Sequence, residues 1–247
     1  MERERGGAKV SVLVVTGTGT EVGKTVVTAA VAALAAARGS RVAVVKPAQT
    51  GVTDSEPGDL AEVQRLAGVT DLREYARYPD PLSPAAAARR SGRPPLDLGA
   101  TATTITALAA DRDLVLVEGA GGLLVRFDED GATLADLAHR LHAPVLVVTD
   151  PELGTLNHTA LTLEAMAHRG LDLAGLVLGS WTTPPSLAAR SNVRDLETLT
   201  ARPLSGAMPA GAGALDASAF LLAARAGLGP ELGGGFDAAD FRRAADD

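Results

Sequence analysis

The stretch TGTGTEVGKT, Thr16–Thr25, constrains the fold of this chain more than any other. Before it runs KVSVLVV, Lys9–Val15, a short apolar and β-branched run that reads as a buried strand. After it runs an alanine-rich segment, Thr25–Gly39, which reads as a helix with Arg38 in its last turn and Gly39 as its stop. Strand, glycine-containing turn, Gly-Lys-Thr and helix form the context of a phosphate-binding loop. Backbone N–H groups at the helix start point at an anion there, and the helix dipole favours negative charge. Lys24 would reach the outer phosphates and the Thr25 hydroxyl a Mg²⁺ ion. The spacing departs from the usual pattern, because the first glycine should be residue 18, which is Thr18; the glycines are Gly17 and Gly19. The loop is therefore a variant.

The strand–helix alternation continues. Arg41–Pro47, Asp113–Gly119, Ala143–Asp150 and Leu173–Ser180 read as strands. Asp59–Ala67, Leu98–Ala110, Thr133–Leu141, His158–Arg169 and Leu187–Leu199 read as helices. This alternation predicts an α/β fold: one doubly wound domain over residues 1–247, with a mainly parallel sheet of the P-loop NTPase type and helices on both faces. The small- and proline-rich stretch from Arg65 to Leu98 reads as loop plus short helix, not as a linker. Residues 1–8 are expected to form a flexible arm. Residues 228–247 are expected to form a glycine-rich, frayed tail with a short helix at Asp237–Ala245.

Ligands of such sheets bind at the carboxyl ends of the strands. That edge collects Lys46 and Thr50 from KPAQTG, Glu118–Gly122 (EGAGG), and TDPELGTLNH after the run ending at Val148. Each has an ordinary reading alone: Lys46 as a solvated lysine at a strand end, Glu118 as a turn carboxylate, the glycines as a loose loop. Asp59 is equally a helix N-cap. Beside a phosphate loop the ordinary readings weaken. A hard Mg²⁺ needs few protein oxygens, and Thr25, Asp59 and Glu118 would supply them.

Composition excludes several function classes. At 247 residues and 46% hydrophobic, the chain can bury the core of one α/β domain. Charged or turn residues interrupt every apolar run before membrane-spanning length, and the charged start MERERGGAK lacks a signal-peptide core. Without cysteine there is no disulfide framework or thiolate chemistry, and a cytoplasmic enzyme with no membrane partner fits. A formal charge of −7 with no basic cluster argues against nucleic acid, though not against nucleotides, which need only a few local cations.

GTGTEVGKT, KPAQTG, EGAGG, LGTLNH and the late TTPP, in this order, resemble the dethiobiotin synthetase family from about Val12 to about Ala210. The variant loop is itself a trait of that family. The resemblance implies that 7,8-diaminononanoate, CO₂ and ATP, or another nucleoside triphosphate, give dethiobiotin, ADP and phosphate. Its intermediates are a carbamate and a carbamic–phosphoric anhydride, and its cofactor is Mg²⁺. Lys24 and Lys46 are then catalytic, and Thr25, Asp59 and Glu118 hold the metal. Nucleotide contacts are implied for Glu21, Val22, Gly23, Lys24, Thr25, Val26, Asp59, Glu118, Gly119, Ala120 and Gly121, and for Gly179, Ser180, Pro209, Ala210 and Gly211. Substrate contacts are implied for Thr20, Thr50, Gly121 and Gly122. The family works as a homodimer, so Gly154, Thr155, Leu156 and Asn157, at a helix start, would hold the substrate carboxylate of the partner.

One departure bears on the nucleotide. Many members carry Asn-Asp shortly before Thr-Pro-Pro, whereas this chain has LGSWTTPP. Neither Gly179 nor Ser180 offers an amide to adenine, which implies relaxed base selectivity unless backbone groups and Trp181 stacking restore it. Two other functions stand beside this one. A cobyrinate-type amide synthetase needs a glutaminase domain with a cysteine nucleophile, and the chain has no cysteine. A septum-placement ATPase carries a further lysine at the loop start, and Thr16–Gly23 contains none.

Overall fold

In β1 (Val12–Gly17) successive side chains go to opposite cores: Val12 and Val14 to one, Leu13 and Val15 to the other. This is the two-residue period of a strand buried on both faces. The computed structural model describes residues 12–246. The expected arm at 1–8 and the start of the first predicted strand lie outside the described residues. From β1 the chain runs through α1 (Lys24–Ala37), β2 (Val42–Thr50), α2 (Asp59–Ala67), β3 (Leu72–Tyr78), α3 (Pro84–Ser91) and α4 (Leu98–Ala110). It continues through β4 (Leu114–Gly122), α5 (Leu134–Leu141), β5 (Val145–Thr149), α6 (Thr155–His168) and β6 (Leu173–Trp181). It closes with α7 (Leu187–Thr200), β7 (Gly206–Pro209), α8 (Ala217–Gly227) and α9 (Ala238–Asp246).

The strands form one seven-stranded sheet in the order β3-β2-β4-β1-β5-β6-β7, with every neighbouring pair parallel. Helices α1, α2 and α8 pack on one face; residues of α3, α4, α5, α7 and α9 join the core on the other. The chain moves outward from β1 to β2 and β3, returns to β4, then crosses to β5, β6 and β7. Connections therefore diverge at the carboxyl end of β1, the topological switch point where such sheets bind ligands.

Three features differ from the sequence-based expectation. First, β2 and β4 run past their apolar stretches, to Thr50 and Gly122. Lys46 and Glu118, expected one residue from the strand ends, thus lie well within the strands, each following the last matched pair, Val45↔Val117. EGAGG is strand rather than loose loop, because Gly122 still pairs with Gly17 across an irregularity in the register. Second, β3 and β7 were not anticipated. LREYARY is an edge strand, so it carries charge where a central strand would be apolar. GAMP is only four residues long.

Third, the glycine-rich end is folded rather than frayed, although the short helix expected at Asp237–Ala245 is present as α9. Gly234 N donates to Gly229 O at 3.0 Å and Gly235 N to Arg225 O at 2.7 Å, so the glycines turn the chain back on α8. α9 then lies against α7, with Arg242 paired to Glu197 and Phe241 meeting Trp181 edge-on at 4.7 Å between ring centroids. Two aromatic anchors, Phe236 and Phe241, pack against the core and offset the loss of chain entropy.

Candidate active site

The loop after β1 owes its shape to backbone lying on backbone. Gly23 caps α1 with φ 95°, a left-handed conformation that favours glycine. A Cβ there would also lie 2.5 Å from Gly179 O, and a Cβ on Gly179 would lie 1.8 Å from Val22 O. The loop is thus seated on the end of β6. A Cβ on Gly17 would lie 2.7 Å from Val22 Cγ2, whereas one on Gly19 would meet nothing nearer than 3.9 Å. The glycine spacing of the variant is explained: the tight positions are 17 and 23, and Thr18 leaves its hydroxyl free to bond Thr149 Oγ1 at 3.0 Å.

Beside the loop sits a compact charged cluster. Lys46 Nζ lies 2.8 Å from Glu118 Oε1 and 2.5 Å from Asp59 Oδ2, and it donates to Gly119 O at 3.0 Å. Thr25 Oγ1 donates to the same Glu118 oxygen at 2.9 Å, and Lys24 Nζ donates to Gly19 O at 2.8 Å. Lys46 and Glu118 are 3% and 1% exposed, so each charge depends on the other. Burial opposes the charged form of Lys46, but the Glu118 and Asp59 carboxylates outweigh it and raise its pKa. Burial, with the Lys46 charge, lowers the Lys24 pKa to about 8, against the pull of Glu118 and Asp59. Both lysines are cations at neutral pH.

Asp59 is the first residue of α2, capped by Gly58, so the alternative of Asp59 as the N-cap is not what the fold adopts. Its N–H donates to Gln49 Oε1 at 2.9 Å, and Gln49 Nε2 donates to Thr50 O at 3.1 Å. Gln49 stands in the KPAQTG stretch yet went unrecognised, since nothing in its local sequence signals a contact ten residues away. The ordinary reading of Lys46 as a solvated lysine at a strand end is not what the fold adopts: it is buried within β2.

Lys24, Thr25, Lys46, Gln49 and Asp59 open into a cavity of about 750 Å³, whereas Glu118, 1% exposed, does not line it. Of the expected site residues, it brings together Thr20, Glu21, Gly23, Lys24, Thr25, Val26, Lys46, Thr50, Asp59, Ala120 and Gly121. Pro81–Pro84, between β3 and α3, and Val125 also line it and were not anticipated. Val22 packs behind the loop, and Gly119 contributes its carbonyl to Lys46. Gly179 is buried under the loop while Ser180 is exposed. Pro209, Ala210 and Gly211 are exposed beside them, since Pro209 pairs with Trp181 and Ala210 N donates to Trp181 O at 2.8 Å.

Trp181 is partly buried against Phe241, which takes up part of the ring that stacking would use. Gly154, Thr155, Leu156 and Asn157 do not line the cavity. They open α6, where Thr149 Oγ1 lies 2.7 Å from Thr155 Oγ1 and 3.1 Å from Thr159 Oγ1. With Thr18 these make three contacts at one hydroxyl, its full capacity of one donor and two acceptor pairs. Gly122 lines a smaller hollow of about 290 Å³ with Thr18, Leu124, His158 and Leu161.

Comparison with known proteins places the chain among its relatives. A family model described as an AAA domain matches residues 11–213. An ATP-dependent dethiobiotin synthetase of Parafrankia sp. is 68% identical over 94% of this chain and 98% of its own length. That of Streptomyces coelicolor is 60% identical over 93% of this chain and 97% of its own. Among solved structures, the cell division ATPase MinD of Pyrococcus furiosus superposes with a TM-score of 0.54 at 19% identity, covering 87% of this chain and 97% of that one. Chloroplast FtsY of Physcomitrella patens gives 0.51 at 20% identity, covering 90% and 68%. At such identity these two share the fold alone. With curated relatives 60–68% identical over nearly the whole length of both chains, the chain belongs to the dethiobiotin synthetase family.

Proposed function

We infer that this chain closes the ureido ring of dethiobiotin from 7,8-diaminononanoate, CO₂ and a nucleoside triphosphate. The observation that carries the reading is the buried Lys46 ammonium, held between Glu118 and Asp59 in the cavity that Lys24 also enters. An amine of the substrate takes up CO₂ and loses a proton, giving a carbamate. A carbamate oxygen attacks the γ-phosphorus, the bond to the β–γ bridging oxygen breaks, and the diphosphate leaves. The second amine then attacks the carbonyl carbon of the anhydride, phosphate departs, and the ring closes with loss of a proton.

The central difficulty is that two anions must meet. Lys24 and Lys46 are preorganised cations, and in a partly dry site such charges act more strongly than in water. Thr25, Glu118 and Asp59 form an all-oxygen donor set suited to a hard cation, with Glu118 already accepting from Thr25. These three would hold Mg²⁺, which when bound would offset phosphate charge. Thr20 and Thr50 hydroxyls and the Gly121–Gly122 backbone would orient the diamine and its carbamate.

The start of α6 would bind the substrate carboxylate of a partner subunit in a homodimer. Two facts support this: those residues do not line their own cavity, and Leu153 and Leu161 nearby are 89% and 57% exposed. No helix among the described residues is long and apolar enough to cross a membrane. Reliance on a nucleoside triphosphate goes with a cytoplasmic location.

The base site lacks a side-chain amide, and Trp181 is engaged with Phe241. CTP, GTP and UTP should therefore serve at kcat/KM values near that of ATP. A preference for ATP above about a hundredfold over every other would overturn this, since a bidentate amide is worth up to roughly that factor. The reaction itself is tested by mass spectrometry of the purified protein with ATP, Mg²⁺, bicarbonate and the diamine. Absence of the dethiobiotin mass would end the reading.

A further inference from the structure

Helix α2 carries Asp59 at the cavity and, about 9 Å further along its axis, an arginine with a different task. Arg65 Nη1 donates to Leu215 O at 2.8 Å, Nη2 donates to the Gly213 carbonyl, and Nε donates to Glu62 Oε2 at 2.8 Å. Both carbonyls belong to the short 3-10 turn Ala212–Ala214 and its exit, which directly follows Pro209–Gly211. The turn also lies beside the phosphate-loop helix: a Cβ on Gly213 would come within van der Waals contact of Val26 Cγ2, at 3.4 Å, and of Glu62 Oε1, at 3.7 Å. Val26 lines the cavity, and Pro209 is tied to β6 through Trp181. The turn therefore joins the paired ends of β6 and β7 to the start of α1 and to α2.

We propose that Arg65 is a positioning residue for the nucleotide base, holding residues 209–215 against α1 so that the exposed backbone of Pro209–Gly211 meets the base. This rests on the proposed function and on the nucleotide contacts that the family resemblance implies for Pro209, Ala210 and Gly211. The guanidinium is suited to the task. Its planar fork satisfies two carbonyls in one fixed geometry, with Glu62 orienting the remaining N–H groups, and a lysine cannot reproduce that. The triphosphate is held elsewhere, by the loop backbone and Lys24, and Arg65 touches neither. A site without a base-reading side chain depends on where its backbone lies, so the residue that sets the backbone governs affinity for the nucleoside.

Calorimetric titration separates the two halves of the ligand. Wild type and Arg65→Ala are each titrated, with Mg²⁺ present, with β,γ-imido ATP and, separately, with inorganic tripolyphosphate. Nucleotide affinity should fall about tenfold or more, the scale of one hydrogen bond to a charged group, while tripolyphosphate affinity stays unchanged. Arg65→Lys should recover only part of the loss. If Arg65→Ala does not fold, Glu62→Gln, which loosens the guanidinium, should give a smaller loss with the same split. Equal losses for both ligands, or no loss for the nucleotide, would overturn the proposal. Wild type binding the nucleotide no better than tripolyphosphate would remove the base reading itself. The titration needs no diamine, so a failure to make dethiobiotin would leave it intact.

Discussion

A lysine ammonium at 3% exposure survives in this protein because a carboxylate at 1% exposure faces it. Lys46→Met should cut turnover about a hundredfold or more by removing a preorganised cation. It should also destabilise the ligand-free protein by about 3–5 kcal/mol, because Glu118 is left buried without its partner. Adding Glu118→Gln should restore much of the melting temperature and none of the turnover. Additive losses of Tm in the double variant would show that the two charges are not coupled. Glu118→Gln alone keeps an acceptor for Thr25 but removes the charge. It should raise the Mg²⁺ concentration for half-maximal rate at saturating nucleotide and diamine, and an unchanged value would take Glu118 out of the metal site. Lys46, Glu118 and Asp59 were legible as residues of one edge because strand ends converge in this fold class. That Lys46 and Glu118 form a buried ion pair was not, because two strands had to be laid side by side to bring them together.

At the scale of elements, the loop and β6 are one unit. Gly179→Ala should displace the loop, since its Cβ would fall 1.8 Å from the backbone oxygen of Val22 and 2.7 Å from Val148 Cγ1. Gly19→Ala should be tolerated, its nearest neighbour being 3.9 Å off. The measurement is tripolyphosphate affinity of both variants: a loss confined to Gly179→Ala is expected, and equal affinities would mean that the strand does not seat the loop. The threonine knot links a third element. Thr149→Val keeps the shape but leaves Thr155 and Thr159 hydroxyls buried with a partner lost, so KM for the diamine should rise several-fold with little change in the nucleotide KM. Equal rises in both would argue against a specific role for the α6 start. The central strands announced themselves by uninterrupted Val and Leu. β3 did not, because edge strands are marked by charge rather than by apolar runs, and the Thr149 contacts bring together residues 131 positions apart.

The whole molecule is closed by its last helix. Deleting residues 236–247 removes Phe236, Phe241 and the Arg242–Glu197 pair from the α7 side of the sheet. The cost should be about 1–3 kcal/mol of apolar burial, roughly 5 °C in Tm for a chain of this size. An unchanged Tm would mean that the segment adds nothing to stability. A reader of the sequence counts glycines here and expects slack; what decides the outcome is a pair of phenylalanines with somewhere to go.

That somewhere is Trp181, the single tryptophan of the chain. Its ring stands at the end of β6, one residue from Ser180, with the C-terminal helix against its edge. The protein thus carries one built-in fluorophore, at the junction between the strand ends assigned to the base and the element that seals the fold. Excited near 295 nm, a wavelength characteristic of indole in general, its emission comes from a single place. Changes in colour and intensity on adding nucleotide, or on loosening the last helix, can therefore be read in the unlabelled protein without apportioning signal among several rings.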